Sequence, residues 1–156
     1  MRKREKGFSL IELLVVVAII MVIVAIAIPN LLRTRMTANE ASAVGSLSAL
    51  NTACITYLTI YGGYPPSLAS LGPANPATST SADLIDSVLS SGAKGGYNFA
   101  YSAGPRDASG RVNVYSITAE PTSPGSTGQR TFYTDQSGVI RSNNGAPADA
   151  TSTPIG

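Results

Sequence analysis

From Phe8 to Ile28 the chain is apolar at 19 of 21 positions, interrupted only by Ser9 and Glu12. At roughly 1.5 Å per residue, a helix of that length rises about 30 Å, the thickness of a bilayer's hydrocarbon core. Pro29 follows, and from Asn30 to Tyr61 there is no further Pro and a single Gly, Gly45. Within this second stretch Val44, Leu47, Leu50 (or Asn51), Cys54, Leu58 and Tyr61 recur at spacings of three and four. That is one apolar stripe of an amphipathic helix. The pattern predicts a single long helix from Phe8 to Tyr61, about 80 Å in length. Its first half must lie in lipid or among other helices, and its second half should pack on a C-terminal domain. Pro29 removes one helical hydrogen bond and crowds the preceding turn, so the helix is expected to bend or locally melt over residues 25 to 29.

The pattern changes after Tyr61, where 13 of the 15 Gly and nine of the ten Pro are found. Gly62-Gly63-Tyr64-Pro65-Pro66 ends the helix, and Ser67 to Gly72 reads as a short helical turn or packed loop. Asp83 to Ser90 has apolar residues at helical spacing and predicts a short helix. Tyr97 to Tyr101 alternates large aromatics, and Arg111 to Ala119 is rich in β-branched residues; both predict strands. Thr131 to Thr134 and Gly138 to Arg141 flank the turn signal Asp135-Gln136-Ser137-Gly138 and predict a hairpin. From Ser142 the chain is polar and rich in Pro and Gly, which predicts a loose tail.

Composition narrows the chemistry. Charged residues make up 13% of the 156 positions, about half the ~25% of an ordinary soluble domain. There is no His, which excludes Ser-His-Asp and Cys-His catalysis and imidazole metal ligation. The single Cys, Cys54, makes no intrachain disulfide and falls on the apolar stripe, where a buried inert thiol is expected. The net charge of +2 offers no case for nucleic-acid binding. It is also unevenly placed: Met1 to Gly7 carries four of 11 basic residues and one of nine acidic ones. Without those seven residues, seven basic and eight acidic side chains remain, a charge of −1.

The basic start and apolar run admit three readings. One is a secretory signal peptide with Ala25-Ile26-Ala27 as its cleavage site. Another is a plain signal anchor. The third is a leader cut at Gly7, leaving the apolar run in the mature protein. Glu12 separates them, because a carboxylate in a spanning segment costs a few kcal/mol and is rarely kept without a purpose. Only the third reading supplies a partner, since a cut after Gly7 makes an ammonium at Phe8.

Gly7-Phe8-Ser9-Leu10-Ile11-Glu12-Leu13 resembles the processing signature of type IV pilins and of the pseudopilins of type II secretion. Tyr64-Pro65 with Leu68 and Leu71 also resembles the loop after the long helix in that family. The resemblance implies an α+β, pilin-like fold: a long N-terminal helix, kinked near Pro29, on a small antiparallel sheet. It divides the chain into a cleaved leader (1–7), a transmembrane and filament-core half-helix (8–28), an amphipathic half-helix (29–61), an extracytoplasmic sheet domain (62–141) and a flexible tail (142–156). It implies cleavage by a prepilin peptidase between Gly7 and Phe8, N-methylation of Phe8, and pairing of Glu12 with the N-terminal amine of a neighbouring subunit. The implied partners are other copies of the chain, minor pilins or pseudopilins, the peptidase, an inner-membrane assembly platform and the lipid bilayer. The implied location is the inner membrane, crossed once with the N-terminus in the cytoplasm, and then a periplasmic or extracellular filament. The function implied is structural, with no catalytic role.

Other candidates carry less. Major pseudopilins are similar in fold and bind calcium, but Asp107, Asp135 and Asp149 form no dense cluster to carry that site over, so no cofactor or metal is expected. Gly92 to Gly96 lacks phosphate-loop spacing. Arg33 and Arg35, just past the apolar run, read as interfacial anchors or as partners in ion pairs between subunits. Tyr57, Tyr61 and Tyr64 gather near the helix end and read as core. The rival from another class is a membrane-anchored extracytoplasmic binding module or enzyme that does not polymerise.

Overall fold

The computed structural model describes residues 7–155; most of the expected leader, Met1 to Lys6, lies outside the described residues. Two compact units divide at Arg35 and Met36. The first unit is the leading part of helix α1, Leu10–Tyr61. Between Phe8 and Leu32 every large apolar side chain is exposed, from Phe8 (77%) and Leu10 (80%) to Ile28 (52%). This part of α1 is long and apolar enough to cross a membrane. The helix is unbroken through Pro29, so the local melting allowed by the sequence does not occur.

The second unit holds the remainder of α1 and a six-stranded antiparallel sheet. Its strands are β1 (Ala93–Lys94), β2 (Tyr97–Ala103), β3 (Tyr115–Pro121), β4 (Arg130–Asp135), β5 (Arg141–Asn144) and β6 (Thr153–Pro154). They pair in chain order, a simple meander. Alternation places Tyr97 and Phe99 of β2, Tyr115, Ile117 and Ala119 of β3, and Phe132 and Thr134 of β4 on the buried face. Register aligns them across the sheet, with Phe99 opposite Ala119 and Ala119 opposite Phe132. Against this face α1 buries Ala43, Leu47, Leu50, Cys54 and Tyr57, at spacings of three and four. Gly62 ends α1 at φ +77°, donating its N–H to the Leu58 carbonyl at 2.8 Å, a left-handed cap that glycine adopts without a Cβ penalty.

Polar contacts fix how α1 sits on the sheet. The Asn51 amide donates to Thr134 Oγ1 at 2.9 Å and to the Gly138 carbonyl at 3.3 Å, and its oxygen accepts from Tyr115 at 3.1 Å. One buried side chain thus ties α1 to β3, β4 and the turn after β4. Glu40 does the same at the other end. Its carboxylate accepts the backbone N–H groups of Gln129 (2.9 Å) and Arg130 (3.2 Å) and pairs with Arg130 Nε at 2.8 Å.

The structure departs from the sequence reading in four places. The strand expected over Gly138 to Arg141 is shifted along the chain: β5 starts only at Arg141, where pairing with Tyr133 of β4 begins. Asp83 to Ser90 was expected as a helix, but α2 is only Ser87–Ser90, capped by the Asp86 carboxylate on Leu89 N–H at 2.8 Å. Upstream, backbone bonds from Asp83 to Gly72 and from Leu84 and Ile85 to Leu71 compete with helix formation. The strand expected from Arg111 begins only at Tyr115, because Val112 bridges instead to Tyr64 and Arg106. The expected flexible tail from Ser142 is instead part of the sheet. Ser142 to Asn144 complete β5, β6 pairs with β5, and Ala148 is buried. Ile155 packs on the core and donates its N–H to the Ile140 carbonyl at 2.9 Å. The sheet's two outer strands have two residues each, and they carry Lys94 on one side and Pro154 on the other. Short edges bearing Lys or Pro resist pairing with other chains.

Candidate assembly site at the N-terminus

Gly7, Phe8 and Ser9 precede the first turn of α1 and have no regular secondary structure. The Gly7–Phe8 bond is exposed on both sides, and a Cβ built on Gly7 would meet nothing within 4 Å. The chain's own atoms therefore leave room for a Cβ at this position.

Glu12 occupies the third position of α1 and turns back toward the chain's start. Its Oε2 accepts the Ser9 N–H at 2.9 Å, while the Ser9 carbonyl accepts the Leu13 N–H at 3.3 Å. This is the carboxylate half of a capping box, in which a Glu three residues into a helix satisfies the N–H at the cap. Ser9-Leu10-Ile11-Glu12, a Ser followed three residues later by Glu before an apolar run, is the sequence pattern that signals it. The N-terminal end of a helix also favours negative charge, which lowers the cost of keeping Glu12 in an apolar segment. Phe8, Ile11, Glu12 and Val15 line one shallow trough on the helix surface. Glu12 thus shares this trough with Phe8, while its carboxylate is bonded to the Ser9 N–H.

The remaining sequence candidates lie apart from this site. Pro29 is inside α1. Cys54 is fully buried, and its thiol is pushed up to about 12 by burial, against a smaller lowering from the Tyr115 hydrogen bond. Asp107, Asp135 and Asp149 each bond locally. Asp107 accepts from Ser109 and Arg111 N–H, Asp135 from Ser137 N–H, and Asp149 from Thr151 N–H.

These features coincide with the matches to known proteins. The family model described as the prokaryotic N-terminal methylation motif matches residues 2–28. Type IV major pilin protein PilA of Myxococcus xanthus is 48% identical over 50 residues, 32% of this chain and 23% of that one. Type II secretion system core protein G of Dickeya chrysanthemi is 32% identical over 72 residues, 46% of this chain and 47% of that one. Type IV wide pilus major component PilA4 of Thermus thermophilus is 55% identical over 38 residues, 24% of this chain and 29% of that one. The chain spans less than half the length of these relatives in each match. No solved structure matches significantly. The chain carries the N-terminal methylation motif, its relatives are type IV pilins and type II secretion core proteins, and its architecture is the pilin-like α+β arrangement.

Proposed function

We propose that this chain is a structural subunit of a type IV pilus or type II secretion pseudopilus, which polymerises through the first half of α1 and has no catalytic role. The observation that carries this reading is an exposed, non-helical Gly7–Phe8 bond set directly before a membrane-length stretch of α1 in which every large apolar side chain up to Leu32 is exposed. Such a helix needs lipid or other helices around it.

A prepilin peptidase would cut after Gly7, and Phe8 would be methylated on its new amine. Arg2, Lys3, Arg4 and Lys6 hold the leader end in the cytoplasm, so the sheet unit lies beyond the inner membrane. Glu12 then meets a cationic amine, and the pair compensates a carboxylate that lipid alone would penalise. Drawing subunits together through that pair sets their axial register. Pro29, which lacks the N–H to complete the ladder, is where α1 bends as subunits pack.

Mass spectrometry of the mature chain tests the reading. A start at Phe8 carrying one added methyl supports it; a start at Met1 or at Ile28 overturns it. Deletion of the gene, with surface-filament imaging beside a comparison of exported proteins, separates a pilus from a secretion role.

A further inference from the structure

The tyrosines at the end of α1 do more than fill the core. Tyr57 is buried and donates its hydroxyl to the Ser79 carbonyl at 2.5 Å. Tyr61 lies against it, with ring centroids 4.6 Å apart, and both Tyr61 and Tyr64 remain half-exposed. Together they line a cleft of about 300 Å³, whose other side is formed by Arg106, Gly110, Arg111 and Val112. Thr80 contributes a hydroxyl to its rim. The cleft is built rather than incidental, because Val112 bridges to both Tyr64 and Arg106 and so holds the two walls together.

Two guanidinium groups stand at this cleft. Arg111 is paired with Asp107 at 3.4 Å. Arg106 is anchored by Nη1 on the Gly110 carbonyl at 2.9 Å, and among the described residues no carboxylate lies within ion-pair distance of it. The cleft thus combines half-exposed aromatic rings, hydroxyl and carbonyl groups, and one uncompensated cation.

We propose that this cleft binds an acidic saccharide, with a sugar ring against Tyr61 and Tyr64 and its carboxylate on Arg106. Apolar ring surface with a few placed polar groups is the usual build of a small-ligand site, and about 300 Å³ sits at the small end of that range. A guanidinium holds a carboxylate through two parallel N–H bonds. A single free cation matches one carboxylate. Single-stranded nucleic acid instead needs a positive track along successive phosphates, whereas among the described residues the cleft is lined by two basic side chains, one of them paired with Asp107.

The test uses the full chain in detergent micelles, so it does not depend on filament assembly. Calorimetric titration with digalacturonate should show saturable binding. Its neutral dimethyl ester should bind about tenfold or more weaker, the loss of one charge-assisted pair. Arg106→Gln, at an exposed position, should weaken digalacturonate to the same degree while leaving tyrosine circular dichroism unchanged. Tyr61→Ser should weaken both sugars. Equal binding of acid and ester, no effect of Arg106→Gln, or tighter Arg106-dependent binding of a short single-stranded oligonucleotide would each overturn the proposal.

Discussion

Glu40 on α1 and Arg130 at the start of β4 lie 90 positions apart in sequence and meet at 2.8 Å. The same carboxylate also accepts the backbone N–H groups of Gln129 and Arg130. Nearby, Asn39 donates its amide to the Thr127 carbonyl at 2.9 Å. Two consecutive helix residues therefore hold the segment that leads into β4.

Removing that hold should be costly. Glu40→Ala leaves two backbone donors without their acceptor and should cost about 2 kcal/mol of unfolding free energy. Burial alone would raise the Glu40 pKa, but the bonds from Gln129 and Arg130 outweigh it and keep it below the ordinary 4.5. A depressed folded value stabilises the protein above the ordinary pKa, and that contribution fades as pH falls through the folded value. Urea unfolding should thus separate wild type from Glu40→Ala at neutral pH, and much less in strong acid.

Asn51 is the second fastening. Asn51→Ala strips partners from Thr134, Tyr115 and the Gly138 carbonyl inside the core. We expect a loss of about 3 kcal/mol, larger than for any exposed hydroxyl on α1. Thermal unfolding of the two kinds of variant gives the comparison.

Cys54 should be chemically silent. Its thiol is buried and raised to about 12, so almost no thiolate exists near the ordinary value of 9.0. A thiol reagent should label the folded chain only at the rate of unfolding, and label it fully in denaturant. Rapid labelling of the folded state would contradict the observed packing.

Glu12→Gln separates two roles of that side chain. Glutamine keeps an oxygen for the Ser9 N–H but carries no charge, so the start of α1 should be preserved. If pairing with an ammonium drives assembly, filament yield should still fall about tenfold or more. Normal yield from Glu12→Gln, counted by electron microscopy, would reduce Glu12 to a helix cap.

Gly7→Val offers a complementary check. A Cβ at position 7 meets nothing within 4 Å apart from its chain neighbours, and the position is exposed, so folding should be unchanged. The precursor should accumulate uncut, visible as a mass larger by the leader. Normal processing of this variant would remove the peptidase from the explanation of Gly7.

Much of this was legible in the sequence because its signals are local. An apolar run of bilayer length, a spacing of three and four from Val44 to Tyr61, and aromatic alternation in Tyr97 to Tyr101 each depend on near neighbours. They placed α1, the Leu47, Leu50 and Cys54 part of its packing face and the core of β2, whereas Ala43 and Tyr57 are buried where Val44 and Leu58 were expected. What could not be read depends on distant partners. The last strands looked like a polar tail because β5 offers no apolar residue; β4 pairs with it and Ile140 anchors Ile155. Asp83 to Ser90 has helical spacing, but bonds to Leu71 and Gly72 claim its first half. Arg106 and Tyr61 are 45 positions apart, and only the bridging at Val112 brings their surroundings together.

The two-residue outer strands, with Lys94 on one and Pro154 on the other, have a consequence for crowding. A filament subunit must wait in quantity before it is used, at densities where an open sheet edge seeds fibrils. Here the sheet gives a neighbour little backbone to copy, and the long run of exposed apolar side chains lies on the leading part of α1, which lipid can solvate. On the proposed function, the membrane would then serve as a reservoir, in which a dense stock of subunits stays exchangeable until something outside the chain selects the next one.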